Sequence, residues 1–321
     1  MNRRKFLTQT SRFGLAASIT GLTLPSLFAA ENDLFAPSAK PFFKLSLAQW
    51  SLHRALFSKV LPALEFPKMA KELGFEGVEY VNAFYAPEKG KESALSTTAK
   101  ELRKRSSDLG LQNILIMVDE GDLSTDDQTK RKAVVADHVK WIDAAAELGC
   151  HSVRVNLFGG ETEKDPQKWM DMSAESLREL CETASKSKLN IIVENHHQLS
   201  SDAAKVAKIM KNVNLKNCGT LPDFGNFCLK REGGQRFEGA CVEEYDRYKG
   251  ISELLPFAKG VSAKSYDFNA SGDETTIDYK RMMKMVKDSG YTGFIGVEYE
   301  GPRMSEMDGI LATKKLLEKF G

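Results

Sequence analysis

The sequence predicts a single (β/α)8 barrel of the α/β class, and two patterns along the chain indicate this fold. The first is a repeated unit in which a helix ends in glycine and a strand begins a few residues later, at Gly74, Gly110, Gly149 and Gly290. Glycine suits this position because it adopts the left-handed conformation that closes a helix. The second is the alternation of strands with amphipathic helices, which is typical of parallel sheets covered by helices.

Eight short apolar segments are predicted as the strands of the barrel. One of them, LNIIVENHH at 189–197, passes from branched aliphatic residues directly into polar ones. The helix with the clearest pattern covers 130–148, where apolar residues recur on one face. An open doubly wound sheet is the alternative, but no GxGxxG phosphate loop follows any strand. The predicted strands are 45–50, 77–81, 113–119, 152–156, 190–195, 218–223, 260–265 and 293–299.

The amino-terminal segment reads as an export signal rather than as part of the barrel. Basic residues that include Arg3 and Arg4 precede a mildly apolar run that is broken by glycine and ends in small residues. The paired arginines before Phe-Leu resemble a twin-arginine signal, and an ordinary secretory signal is the alternative. We therefore expect a signal peptide at 1–30, a linker at 31–41, a barrel at 42–321, and a periplasmic or other extracytoplasmic location.

The charge of the chain argues against one class of partner. Lys and Arg number 45 against 44 Asp and Glu, so the basic surface of a nucleic-acid-binding protein is missing. The apolar run of the signal is too short to span a bilayer, so we expect no membrane attachment after cleavage. The cysteines show no metal-ligand spacing, and we expect small buried apolar residues. They are Cys150, Cys181, Cys218, Cys228 and Cys241.

Acidic residues recur where the predicted strands end. In a (β/α)8 barrel the carboxyl ends of the strands form the catalytic face, and alternate side chains point towards the axis. By this alternation Ile192, Glu194 and His196 point inward on strand five, while Asp223 ends strand six and Glu298 ends strand eight. Crowded carboxylates repel one another, and a divalent cation is the usual reason to gather them, with Mg²⁺ or Mn²⁺ favoured by oxygen ligands. A salt-bridge network with Arg or Lys is the alternative.

Further polar and aromatic residues are predicted at the same face. Arg154 could bind substrate hydroxyl groups or neutralise the acidic rim, and Phe224 could stack on a sugar ring or serve only packing. The polar segment 227–245 is long for a loop at this face, which favours a lid or a substrate collar. The predicted substrate-binding residues are Trp50, His53, Arg154, Asn156 and Asn226.

Four short motifs follow one another along the second half of the predicted barrel. They are Glu-Asn-His at 194–196, Leu-Pro-Asp-Phe-Gly-Asn at 221–226, Ala-Lys at 263–264 and Gly-Val-Glu-Tyr at 296–299. In this order the motifs resemble the xylose isomerase-like barrels that are grouped as sugar phosphate isomerases and epimerases. The resemblance covers 43–321, and it implies the same fold and a sugar as substrate.

The resemblance also implies a metal centre. Glu194, Asp223 and Glu298 would bind the metal, with Mn²⁺ or Mg²⁺ expected and Co²⁺ or Zn²⁺ as alternatives, and the two glutamates would double as the acid–base pair. The family usually has His or Gln two residues before the lysine of strand seven, but this chain has Ser262 there. We therefore expect weaker metal binding, with water or His196 completing the ligand shell.

These features predict an isomerase or epimerase that acts on a keto-sugar through an enediolate. A metal would polarise the carbonyl, Lys264 would stabilise the developing oxyanion, and His196 would shuttle a proton or orient Glu194. The same proton abstraction could instead cause β-elimination from a 3-keto-glycoside, and a non-catalytic sugar-binding barrel is the third hypothesis. The expected partner is a small sugar or glycoside, and a homo-oligomer is left open. The predicted catalytic residues are Glu194, Glu298, Lys264 and His196.

Overall fold

The computed structural model describes residues 41–88, 91, 93–158 and 165–321. The predicted signal peptide and all but the last residue of the predicted linker lie outside the described residues. Across the described part of the chain, eight parallel strands form the barrel sheet: β1 (Lys44–Ala48), β2 (Gly77–Val81), β3 (Gln112–Val118), β4 (Ser152–Val155), β5 (Asn190–Glu194), β6 (Cys218–Leu221), β9 (Val261–Ser265) and β10 (Phe294–Tyr299). Their order in the sheet is β6-β5-β4-β3-β2-β1-β10-β9.

The two edges of this sheet meet where β9 runs beside the residues that follow β6. The backbone N–H of Ser262 donates to the carbonyl of Pro222 at 2.9 Å, and the carbonyl of Ser262 accepts from the N–H of Phe224 at 3.1 Å. These hydrogen bonds close the sheet into the predicted (β/α)8 barrel. Each observed strand begins and ends within two residues of its predicted bounds.

Helices alternate with the strands along the chain, and aspartate side chains cap several of them. The carboxylate of Asp127, for example, accepts a hydrogen bond from the N–H of Lys130 at the start of α4 (Gln128–Leu148). Gly149 ends the same helix with a φ of 76°, as its position in the sequence predicts. No helix in the described residues has the length and apolar character needed to cross a bilayer. The helices are α1 (His53–Phe57), α2 (Phe66–Glu72), α3 (Ser93–Asp108), α4 (Gln128–Leu148), α5 (Pro166–Ser185), α6 (Ala203–Val213), α7 (Arg247–Leu254), α8 (Tyr279–Asp288) and α9 (Glu306–Phe320).

Alternate side chains of the barrel strands enter two separate apolar clusters. Ile191 and Val193 of β5 pack in the large cluster between the strands and the helices. Ile192 packs instead with Leu115 and Met117 of β3, inside the barrel. The predicted inward and outward faces of β5 are therefore confirmed, and the same alternation directs Glu194 towards the barrel axis.

A disulfide-bonded hairpin fills much of the segment predicted as a lid or collar. The strands β7 (Cys228–Arg231) and β8 (Cys241–Glu244) pair in antiparallel fashion outside the barrel wall. Cys228 and Cys241 form a disulfide with their Cα atoms 5.8 Å apart. The expectation of buried apolar thiols is therefore wrong for these two residues. The hairpin pairing, which carries no short-range sequence signal, is what brings them together.

The barrel interior contains a further buried carboxyl group, that of Glu79 on β2. Ser46 Oγ donates to Glu79 Oε1 at 2.6 Å, and Oε2 has no hydrogen-bond partner among the described residues. Gly296 makes room for this group, because a Cβ there would lie 2.5 Å from the carboxylate oxygens. Burial raises the pKa of Glu79 to about 7, and the bond from Ser46 offsets only part of this effect.

We expect Glu79→Gln to change how stability depends on pH. Since the folded-state pKa of about 7 lies above the usual value of 4.5, the folded protein binds more protons than the unfolded protein in this interval. Glu79 therefore lowers the free energy of unfolding as pH rises from 4.5 to about 7, by a total of about 3 kcal/mol. Urea denaturation from pH 5 to 8 should show the variant gaining most of this amount on the wild type. Parallel curves, or an equal gain in the exposed control Glu76→Gln, would contradict the assignment.

Candidate functional site

Three buried carboxylates meet at the carboxyl ends of the barrel strands. Glu194 ends β5, Asp223 follows β6, and Glu298 is the penultimate residue of β10. One oxygen from each carboxylate lies within 4.8 Å of the others. The side chains are almost inaccessible, with exposed fractions of 2%, 0% and 4% in the same order. The structure thus brings together the three acids that the sequence analysis placed at one rim.

Glu194 is held by one cation and one amide. Arg154 Nε of β4 lies 2.8 Å from Glu194 Oε2, and Asn226 Nδ2 donates to Glu194 Oε1 at 2.8 Å. The Arg154 guanidinium also pairs with Asp119, which follows β3. Burial raises the pKa of Glu194, Arg154 opposes the shift, and the negative charge of Glu298 adds to it. Arg154 therefore offsets only part of the cost of burying this carboxylate.

Asp223 is held by hydrogen bonds rather than by a direct ion pair among the described contacts. The N–H groups of Gly225 and Asn226 both donate to Oδ1 at 2.8 Å, and Ser262 Oγ donates to Oδ2 at 2.6 Å. The side chain of Asn195 fixes the backbone of Asp223, whose N–H donates to Asn195 Oδ1 at 2.8 Å. Burial raises the pKa of Asp223 to about 6, despite these donors.

Glu298 shares the buried ammonium group of Lys264. Lys264 Nζ donates to Glu298 Oε1 at 2.8 Å and lies 3.2 Å from Glu300 Oε1. Burial alone would lower the pKa of Lys264, but Glu298, Glu300 and Asp223 together raise it well above its ordinary value, so the group stays charged. Ser262 Oγ lies 3.0 Å from Glu298 Oε2, so this hydroxyl connects two of the three carboxylates.

The carboxylate trio fits a divalent cation. Its donors are all oxygen atoms, which suits Mg²⁺ or Mn²⁺ better than softer metals. Among the described side chains, no imidazole joins the group of possible ligands, so His196 is not placed as a fourth ligand in this structure. The salt-bridge alternative is also present in part, since Arg154 and Lys264 each neutralise one glutamate. Asp223 carries the remaining charge.

His196 lines one cavity with Glu194 and Glu298. Its Nδ1 is buried and has no hydrogen-bond partner among the described residues, and its ring lies 4.0 Å from the ring of His197. Burial lowers the pKa of His196 well below its ordinary value, and the neighbouring cations Arg154 and Lys264 lower it further. The imidazole is therefore neutral near pH 7.

A cavity of about 610 Å³ opens onto the glutamates and contains several of the predicted substrate-binding residues. Trp50, Arg154 and Asn226 line it. His53 stands behind Trp50, with the two rings stacked 5.0 Å apart and His53 Nδ1 2.8 Å from the Trp50 carbonyl. Asn156 is buried and donates to Asp119, so its side chain supports the wall rather than forming it.

Phe224 does not reach the cavity. It is fully buried and packs edge-on against Tyr279, with ring centroids 5.7 Å apart. Of the two roles considered for Phe224, the structure supports packing. The reason is the alternation of side chains: Asp223 points inward, so its neighbour points towards the helices.

Several residues of the cavity were not singled out by the sequence analysis. Asp119 had a usable signal, because it ends the predicted third strand at the catalytic face. The cavity residues on the hairpin had no sequence signal other than the length of the segment that contains them. The additional lining residues include Asp119, Phe158, His197, Arg231, Arg236, Phe237 and Tyr266.

Comparison with known proteins gives one family and several similar structures. A family model described as a xylose isomerase-like TIM barrel matches residues 67–320. No curated protein matches the chain. An L-ribulose 3-epimerase superimposes with a TM-score of 0.64 at 16% identity, covering 87% of this chain and 95% of its own.

Two further structures show the same fold. A 3-keto-D-glucoside 4-epimerase from E. coli has a TM-score of 0.61 at 15% identity, covering 80% of this chain and 94% of its own. The IOLI protein with a bound zinc atom has a TM-score of 0.64 at 14% identity, covering 87% and 99%. At such low identity, these likenesses establish the fold alone.

We expect Asp223→Asn to weaken Mn²⁺ binding by more than about 100-fold, because losing a ligand should cost more than the 10- to 100-fold typical of outer-shell changes. Titration calorimetry of the apo protein measures the Kd. The control is Asp122→Asn, which removes an acid near the cavity mouth but outside the carboxylate trio. Equal Kd values for Asp223→Asn and the wild type would show that this trio is not the metal site.

Proposed function

Because the chain belongs to the xylose isomerase-like TIM barrel family, we propose that it is a metal-dependent sugar epimerase or isomerase. The reaction would remove a proton from a carbon next to a carbonyl and return one. The observation that carries this proposal is the placement of Glu194 and Glu298 on one cavity, with an oxygen of Asp223 within 4.8 Å of both. The named activities of two similar barrels, L-ribulose 3-epimerase and 3-keto-D-glucoside 4-epimerase, support it.

The proposed acid–base roles of Glu194 and Glu298 are based on their positions in the barrel. Glu194 and Glu298 extend from β5 and β10, which β6 and β9 separate around the closed barrel. A keto-sugar held between them would have one carboxylate on each side of its acidic carbon. One glutamate removes the proton and the other returns it, through an enediolate. A divalent ion bound by the trio, when present, supplies Lewis acidity at the carbonyl.

Other side chains would set the charge and orientation of this pair. Lys264 stays protonated and lies 2.8 Å from Glu298, so it can also stabilise negative charge that develops on the substrate oxygen. Arg154 and Asn226 hold both oxygens of Glu194 in place. Neutral His196 lines the same cavity, so its imidazole can accept a hydrogen bond or a proton from a substrate hydroxyl group.

We expect the Mn²⁺-loaded protein to exchange a carbon-bound proton of its substrate with solvent. A panel of ketopentoses, ketohexoses and 3-keto-glucosides in D₂O, followed by NMR, should reveal deuterium next to the carbonyl. Glu298→Gln should slow the exchange by about 10²- to 10⁴-fold, because it removes an acid–base group. The matched control is Glu120→Gln, because Glu120 accepts a hydrogen bond from Trp141 and does not line the cavity; this variant should exchange the proton as the wild type does.

Two other results would identify the competing functions. Release of the aglycone from a 3-keto-glucoside would indicate β-elimination at the same site. Binding of a sugar without exchange, equally in the wild type and Glu298→Gln, would indicate a sugar-binding protein and contradict the enzymatic proposal. The metal content of the variant, measured on the same sample, separates a lost base from a lost metal.

We also propose that the protein works outside the cytoplasm. Two independent features support this: the basic segment with Arg3 and Arg4, and the disulfide between Cys228 and Cys241, since disulfides persist in oxidising compartments. The trio and its partners involve no cysteine, so the site itself is compatible with either compartment.

Replacing both arginines by lysine should block export through a twin-arginine pathway. In a bacterium with that pathway, we expect the wild-type chain in the periplasmic fraction, shortened near residue 30 by mass spectrometry, and Arg3→Lys/Arg4→Lys at full length in the cytoplasm. Lys5→Arg is the control that keeps the charge and leaves the pair intact. Retention of the uncleaved wild-type chain in the cytoplasm would refute the proposal.

A further inference from the structure

The hairpin of β7 and β8 forms a wall of the cavity that differs in chemistry from the carboxylate end. It contributes Arg231, Arg236 and Phe237 to the lining, whereas the barrel strands contribute the glutamates. The disulfide between Cys228 and Cys241 joins the first residue of β7 to the first residue of β8. One cavity therefore has an acidic end and an end built of arginine and phenylalanine.

Contacts with three barrel loops hold the tip of the hairpin against the cavity. Arg236 donates to Asp122, beyond β3, at 3.1 Å, and its guanidinium lies 4.3 Å from the ring centre of Phe158, beyond β4. The ring of Phe237 meets His197, beyond β5, at 4.5 Å and an interplanar angle of 87°. These contacts make the hairpin wall part of the folded cavity.

Phe237 has a large open surface despite these contacts. Its side chain is 59% exposed, and it lines the cavity beside His196 and Phe158. An aromatic ring left open in this way is costly in water, and it offers a flat apolar surface to a ligand. The apolar face of a sugar ring is a suitable partner for such a surface.

Arg231 adds a polar group to the same wall. Its guanidinium donates to the carbonyl of Gly239 at 2.9 Å, and the residue lines the cavity. A guanidinium has five N–H donors, so a group that is bound to one carbonyl can still donate to a hydroxyl group of a ligand beside it. A purely aromatic group would offer this guanidinium no such oxygen acceptor.

We propose that the hairpin wall is a second sugar subsite, and that the substrate is a keto-glycoside whose second ring is also a sugar. This rests on the proposed function, which places the reacting keto-sugar at Glu194 and Glu298. The second ring lies against Phe237 and accepts a hydrogen bond from the guanidinium of Arg231. The volume of about 610 Å³ falls in the range of pockets that enclose ligands larger than a single ring.

Matched ligands test the subsite by titration calorimetry of the Mn²⁺-loaded protein. The probes are methyl 3-keto-β-glucoside, phenyl 3-keto-β-glucoside and 3-ketocellobiose with its keto group on the non-reducing ring. We expect 3-ketocellobiose to bind more tightly than the methyl glucoside. Phe237→Ala should weaken 3-ketocellobiose by about 3- to 10-fold and leave the methyl glucoside unchanged.

Two variants separate the subsite from a general effect on the hairpin. Val242→Ala is the control, since Val242 is 54% exposed on β8 and outside the cavity lining, and it should bind all three probes as the wild type does. Arg231→Met should weaken 3-ketocellobiose but not the phenyl glucoside, because only the sugar accepts a hydrogen bond.

Each other outcome is decisive. Equal binding of the methyl glucoside and 3-ketocellobiose by the wild type and Phe237→Ala overturns the subsite while the proposed function stands. Preference for the phenyl glucoside, with no effect of Arg231→Met on 3-ketocellobiose, overturns the assignment of the second ring as a sugar. Failure of all three probes to bind, while a ketopentose or ketohexose still exchanges its proton, overturns the keto-glycoside assignment and leaves the proposed function standing.

Discussion

Burial of Glu194, Asp223 and Glu298 at one rim is the constraint on which the rest of the site depends. Removing carboxylates from water is expensive, and placing three of them within 4.8 Å adds repulsion. The chain offsets this cost with Arg154 on β4 and Lys264 on β9, and with the backbone donors of the turn after Asp223. The three carboxylates and the two cations come from five different stretches of chain, so only the closed barrel assembles them.

The two ion pairs reduce the need for a cation but do not explain why the site exists. Buried ion pairs stabilise a fold poorly, and apolar side chains of similar volume often do better. Arg154 and Lys264 also leave the pKa values of Glu194 and Asp223 raised, which indicates that burial still outweighs the available positive charge. A site that keeps carboxylates in this state is better explained by chemistry than by stability. In that view Arg154 and Lys264 position the carboxylates, and a bound metal ion offsets the negative charge that remains.

Local periodicity explains how much of this could be predicted from sequence. The strand bounds follow from short apolar segments. The inward direction of Glu194 and the convergence of the three acids follow from alternation along strands whose carboxyl ends share one face. The same rule would have turned Phe224 outward had it been applied there. The disulfide of Cys228 with Cys241 and the entry of Phe237 into the cavity depend on how a long loop folds back on the barrel. The residues that make such non-local contacts have no fixed spacing along the chain, so a local sequence pattern does not predict these contacts.

Anomalous diffraction from a crystal soaked in Mn²⁺ tests the central claim most directly. A single manganese peak should appear at the rim, with one oxygen each from Glu194, Asp223 and Glu298 at about 2.0–2.3 Å, the distance range of oxygen ligands around Mg²⁺ and similar ions. The ammonium group of Lys264 should remain beside Glu298. A rim without manganese at saturating concentration, with Arg154 and Lys264 alone neutralising the carboxylates, would contradict the account.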